Sequence, residues 1–191
     1  MDIPLIDIAP WLSGEDSPLL KGKVVAAVKK ACEETGFFAL KNIPSELRET
    51  ISAAAEASRA YFISKRSSKT EAVKDTSGKD GGGLPKAYGY FPMKSEALSY
   101  QADVDKKPDL REAWSMGPMT ISKRFEKHLK SESKPGQDFY ADVLRFLFQP
   151  TPWPSTDEGK DKKQQAIDEN FKSSLCKWYA LTSKLGSTLL R

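Results

Sequence analysis

The chain has 191 residues, with 39% hydrophobic side chains and 30 Lys and Arg against 26 Asp and Glu, enough to bury one sizeable domain or one domain and part of another. The surplus of four positive charges is interleaved with acids, as in KSESK and DEGKDKK, and lacks the concentrated basic face of a nucleic-acid binder. Two cysteines, Cys32 and Cys176, cannot build a disulfide framework, and no apolar run reaches the roughly 20 residues of a membrane-spanning helix.

The opening MDIPLIDIAP carries an acid at once and no basic lead, unlike a secretory or organelle signal, so a cytoplasmic protein is expected. IPLIDIAPWL reads as a short strand ended by Pro10. Residues 19–35 repeat apolar side chains at Leu20, Val24, Val28 and Cys32, with Val25 and Ala31 beside them, which predicts an amphipathic helix. Both cysteines fall in such apolar patterns and are expected to be small buried hydrophobes in a reducing compartment. Gly36 stops the helix. FFALKN, bounded by Gly36 and Pro44, then reads as a strand buried on both faces. Ser45 is placed as the N-cap of a second helix over 45–64, carried by Leu47, Ile51, Ala54, Ala55, Ser58, Tyr61 and Phe62.

From SKRSSKTEAVKDTSGKDGGG onward the composition turns polar and Gly-rich, which predicts a mobile connection before LPKAYGYFPM. Gly81–Gly83 has neither the Gly-Lys-Ser/Thr nor the preceding strand of a phosphate loop. The acids at 103, 105 and 109 in ADVDKKPD lack the Gly and final Glu of a calcium loop and are read as a turn. DLREAWSMGP is expected to be a strand closed by Gly117 and Pro118, and residues 119–137 a charged, solvent-facing stretch. DFYADVLRFLF fits a helix or a strand equally. QPTPWPS, with three prolines, must be irregular. Over 164–190, Ile167, Phe171, Leu175, Trp178, Leu181, Leu185 and Leu189 step by three or four along a core helix. There are no internal repeats, and the order of elements fits a mixed α/β or α+β arrangement better than a regular parallel sheet.

The succession IPLIDIAPWLSG, ACEETGFFALKNIP, AYGYFPMKSEAL, DLREAWSMGP and then PWP before a long helix resembles the N-terminal region of the isopenicillin N synthase-like non-haem iron oxygenases, most of which use 2-oxoglutarate. The resemblance covers 3–116 and 150–191, with 119–149 as an insertion. It implies an α+β fold made of the N-terminal helices and first strands of a double-stranded β-helix, or jelly roll, whose barrel is incomplete in this chain. FFALKN would pair into the larger sheet and the last helix would brace it. The implied parts are an N-terminal region over 1–118, a charged variable insertion over 119–149, and a Pro-rich turn with a long supporting helix over 150–191. The segment like KAYGYFPM lies near the barrel mouth in that family, which makes Lys86, Tyr88, Tyr90 and Met93 the candidate substrate-side residues.

The family binds Fe(II) through two histidines and a carboxylate, a His-x-Asp pair and a distant His, and anchors 2-oxoglutarate with an Arg. All of these lie downstream of the region matched. This chain has one histidine, His128 in RFEKHLKS, read as an exposed surface residue with no Asp two positions on. Cys32, Cys176 and His128 share no zinc-ligand spacing, and there is no Gly-x-Ser-x-Gly elbow. No catalytic or metal-binding residue is therefore assigned, and no cofactor is expected on this chain alone; Fe(II), 2-oxoglutarate and a small-molecule substrate are implied for a full-length parent. GSTLLR ends the sequence inside an amphipathic pattern without a C-cap, which leads us to expect a truncated oxygenase, or else a non-catalytic binding or subunit-pairing protein. Either would be prone to self-association through an uncovered sheet edge.

Overall fold

The computed structural model describes residues 2–13, 17–64, 87–93, 109–121, 123–129, 137–154 and 161–189. In chain order these form β1 (Leu5–Asp7), α1 (Ala9–Leu12), α2 (Pro18–Glu34), β2 (Ala39–Lys41), α3 (Ser45–Ile63), β3 (Gly89–Phe91), β4 (Ala113–Ser115), α4 (Lys123–Leu129), α5 (Phe139–Leu147) and α6 (Lys162–Leu189). The chain divides into two units, one of Met1–Ala60 with Ser173–Arg191, the other of Tyr61–Lys172. The fold mixes helices and strands, and the described strands close no barrel.

In the first unit β1 and β2 pair in parallel, with Leu5 opposite Ala39 and Asp7 opposite Lys41. A parallel pair cannot be joined by a tight turn, and α1 with α2 supplies the crossover. Ser17 caps α2 by accepting from the Leu20 amide at 3.4 Å, and Pro18 occupies its first turn, where a missing N–H costs nothing. Gly36 adopts φ +80°, the left-handed conformation that ends helices and that a Cβ disfavours. The core is Ile6, Ile8, Val24 and Ala31, with Trp11, Val28, Leu40, Leu185 and Leu189 packed against it.

In the second unit β3 and β4 pair antiparallel, with Tyr90 opposite Trp114. Asp138 caps α5, its Oδ1 accepting from the amides of Tyr140 at 3.0 Å and Ala141 at 3.1 Å. That cap, with Ala141 and Leu144 buried three apart, settles DFYADVLRFLF as a helix.

Several expectations need correction. The first strand stops at Asp7, and Pro10 lies inside α1 rather than ending a strand; the fixed φ of proline suits a first helical turn. Only Ala39–Lys41 of FFALKN is strand, half-buried at best, with Phe37 54% exposed. The positive φ of Asn42 ends the ladder after three residues, and two short strands cannot bury both faces. Ser45 is the first residue of α3 rather than its cap, so the Arg48 amide bonds the Pro44 carbonyl at 3.2 Å. Cys32 is exposed, because Val24, Val28 and Ala31 take the inward face of α2. In DLREAWSMGP three residues form strand. The charged stretch contains α4, whose Phe125 ring meets Phe148 at 5.6 Å. In α6 Phe171 is buried as expected, but its buried companions are Asp168 and Ser174 rather than the neighbouring Ile167 and Leu175, which are half-buried.

Candidate functional site

The second unit is built around aromatic rings. Tyr61, at the end of α3, and Phe171, in α6, are both fully buried and stacked at 4.1 Å. Trp114 of β4 meets Tyr61 edge-on at 5.6 Å and Phe171 at 5.3 Å. Trp153, from the proline-rich stretch, stacks on Trp114 at 5.7 Å. Tyr90 of β3 approaches Tyr61 at 6.4 Å. Such edge-on and stacked pairs place ring edges over ring faces and add to the burial of each side chain.

Polar groups are threaded through this cluster. Tyr90, 5% exposed, donates its hydroxyl to Glu112 Oε2. Asp168, 1% exposed, accepts from Gln164 Nε2 at 3.0 Å, and Gln164 also reaches Ser64 Oγ at 3.3 Å. The Tyr61 hydroxyl and the Trp114 indole nitrogen are buried and make no hydrogen bond. Burial, reinforced by the nearby charge of Asp168 and then by Tyr90 and Glu112, pushes the Tyr61 phenol far above its usual range.

The candidate substrate-side segment and the neighbouring Gly117 are fastened to residues 147–151 of their own unit by three hydrogen bonds. Tyr88 donates its hydroxyl to the Leu147 carbonyl at 2.7 Å, the Ala87 amide reaches Gln149 Oε1 at 3.3 Å, and the Gly117 amide donates to Thr151 Oγ1 at 3.0 Å. The Tyr88 ring passes so close to Gly117 that a Cβ there would lie 2.5 Å from it. Tyr88 is half-buried, Tyr90 points into the aromatic cluster and Met93 is 46% exposed. Lys86 lies outside the described residues, as do Gly81–Gly83 and the acids at 103 and 105. Glu112 and Asp168 are not singled out by the sequence, and Trp153 enters only within the PWP motif. The signals for them were faint: an acid two residues before Trp114, and an acid one turn before Phe171.

The donor set does not fit a two-histidine, one-carboxylate iron centre, which needs two imidazoles, because the chain has a single histidine, His128 in α4. Among the described residues no three His, Cys, Asp or Glu side chains gather as metal ligands. Grooves of about 450 Å³ beside β1 and about 250 Å³ beside α2 lie in the first unit; the former mixes aliphatic side chains with Asp2, Lys30 and Glu34, and the latter is mostly apolar. Among the described residues no helix is long and apolar enough to cross a membrane.

The chain belongs to the family described as non-haem dioxygenase in morphine synthesis, N-terminal, whose family model matches residues 3–155. It is similar to the 2-oxoglutarate-dependent dioxygenase tropC of Talaromyces stipitatus, 51% identical over 51 residues, which cover 26% of this chain and 16% of that protein. It is also similar to clavatol oxidase claD of Penicillium crustosum, 26% identical over 193 residues, covering 98% of this chain and 48% of that protein. The chain thus spans less than half the length of the curated relatives it matches.

Proposed function

We propose that this chain is the N-terminal scaffold of an Fe(II)- and 2-oxoglutarate-dependent oxidoreductase acting on a small molecule, and that it is not catalytic by itself. The observation that carries the reading is the family match over 3–155 in a chain with one histidine. On this reading residues 1–118 are the family's N-terminal region, 119–149 a variable insertion and 150–191 a turn and supporting helix. The first strands belong to a jelly-roll barrel completed by sequence beyond this chain, which also supplies the iron ligands and the 2-oxoglutarate anchor. Lys86, Tyr88, Tyr90 and Met93 border the substrate mouth, with Tyr88 and Tyr90 holding the segment from below. The whole enzyme is cytoplasmic and binds neither nucleic acid nor membrane.

A second reading is a non-catalytic binding or subunit-pairing protein of the same descent. It is favoured by the two-stranded β1–β2 sheet, whose outer edges are open among the described residues and available for pairing with another chain. The deciding experiment incubates the purified chain with Fe(II), ascorbate and 2-oxoglutarate and measures succinate, while the transcript is sequenced through the Arg191 codon. We expect no succinate and a frame that continues into a His-x-Asp pair. Succinate formed by the chain alone sinks the scaffold reading; a stop codon after Arg191, with no succinate, selects the binding protein.

A further inference from the structure

We propose that Trp153, Trp114 and Tyr90 form a relay for single-electron oxidation that ends on Tyr90, with Glu112 as the acceptor of its phenolic proton. Tryptophan and tyrosine are the most readily oxidised aromatic side chains, and electrons pass between them when their rings are close. Trp153 stacks on Trp114 at 5.7 Å. Trp114 stands directly opposite Tyr90 in the β3–β4 ladder, a position in which side chains on the same face touch. Tyr90 donates its hydroxyl to Glu112 Oε2, just before β4 and two residues before Trp114.

The polar partners give the relay a direction. The buried indole N–H of Trp114 has no acceptor, so an oxidised Trp114 keeps its proton and remains a cation radical, a stronger oxidant than its deprotonated form. Tyr61 touches both rings, yet its hydroxyl also lacks an acceptor, so it cannot lose a proton as it loses an electron. The Tyr90 hydroxyl, by contrast, donates to a carboxylate, that of Glu112. The balanced step is therefore the loss of one electron from Tyr90 to the Trp114 cation radical, with the phenolic proton moving to the Glu112 carboxylate. The products are a neutral Tyr90 radical, a neutral Trp114 and a Glu112 carboxylic acid. The carboxylic acid then donates a hydrogen bond back to the Tyr90 oxygen. The electron that Trp153 lost initially goes to a metal-centred one-electron oxidant outside this chain, which in the test below is photogenerated Ru(III).

What the protein gains rests on the oxygenase reading: an oxidising equivalent escaping a reactive iron centre would be held on Tyr90 rather than damaging the substrate segment. The relay itself needs no iron, so the two ideas fail separately.

The test is flash photolysis of the full chain, in a Tyr140→Phe background to remove an exposed competitor, with ruthenium tris(bipyridine) as sensitiser and persulfate as electron acceptor. Radicals are read by transient absorption and high-field electron paramagnetic resonance. We expect a neutral tyrosyl radical with the g-tensor shift of a hydrogen-bonded oxygen, absent in Tyr90→Phe and reduced in yield in Trp114→Phe. Glu112→Gln keeps the shape of the side chain and should slow radical formation about a hundredfold, the low end of what a positioned base contributes. Formation should also slow in heavy water. An unchanged hydrogen-bonded signal in Tyr90→Phe overturns the assignment. So does a rate that neither Glu112→Gln nor heavy water alters, and that measurement does not depend on Tyr90→Phe folding.

Discussion

The Tyr61 ring lies flat on the Phe171 ring, with centroids 4.1 Å apart and planes 8° from parallel. Both side chains are 0% exposed, and Trp114 and Trp153 close over Phe171 edge-on at 5.3 and 6.4 Å. Removing the Phe171 ring leaves a void lined by three rigid aromatics that cannot collapse into it. Phe171→Ala should therefore cost about 3–5 kcal/mol, seen as a lower urea midpoint. An equilibrium loss below about 1 kcal/mol, within the range of surface changes and mild core changes, would show that the stack does not hold the unit together.

The Tyr61 hydroxyl behaves differently from its ring. It is buried without a hydrogen-bond partner, a costly state, so Tyr61→Phe should keep or raise stability at neutral pH. The sign at high pH follows from the raised phenol. Above the ordinary tyrosine value of 10.0 the unfolded chain loses this proton while the folded chain keeps it. The unfolded state then binds fewer protons, and stability falls as pH rises. The contribution is intact below pH 10 and is lost progressively above it. Urea midpoints taken across that window should fall more steeply for the native sequence than for Tyr61→Phe; parallel curves would show that Tyr61 ionises as freely folded as unfolded.

Gly117 makes room for Tyr88. A Cβ would sit 2.5 Å from the Tyr88 ring, and that ring is held at its far end by the bond to the Leu147 carbonyl. Gly117→Ala should cost about 1–3 kcal/mol through overpacking. In a Tyr88→Ala background the same substitution should cost far less, since the obstructing ring is gone. Equal costs in both backgrounds, measured by chemical denaturation, would locate the requirement for glycine in the backbone instead.

Legibility in this sequence followed the range of the forces. Helices α2 and α6 were readable because their apolar residues recur within a few positions, and Gly36 was readable because a left-handed residue is a local need. The Asp138 cap of α5 is just as local, but the short apolar run behind it suits a helix or a strand on periodicity alone. Strands β3 and β4 are three residues each, too short to show alternation, and their pairing brings Gly89 opposite Ser115 across a long intervening segment. The Tyr90–Glu112 contact depends on that register, so no local pattern could announce it. Asp168 was hidden for another reason: it is an acid on the buried side of α6, where periodicity argues for an apolar residue. Its burial is explained by Gln164 one turn earlier and by the aromatic wall.

Asp7 ties together the parallel pair of the first unit. Its Oδ1 accepts from the Ala9 amide at 3.0 Å, satisfying an early N–H of α1, and its Oδ2 accepts from Asn42 Nδ2. Those bonds, the Ala9 amide first and Asn42 second, hold the carboxyl below the usual value of 3.8. The folded state therefore releases this proton more readily than the unfolded chain does. The stabilisation is present above the unfolded value and is lost as pH falls below about 4 toward the lower folded value. Asp7→Asn should lower stability at neutral pH and flatten that acid limb. Asn42→Gly separates the two roles of Asn42, because it removes the side-chain bond yet suits the φ of 56° better than any residue with a Cβ. Asn42→Ala loses the bond and also strains the backbone, so it should be the less stable of the two. If thermal melts rank Asn42→Ala equal to or above Asn42→Gly, the positive φ is not maintained in solution and the end of β2 must be drawn differently.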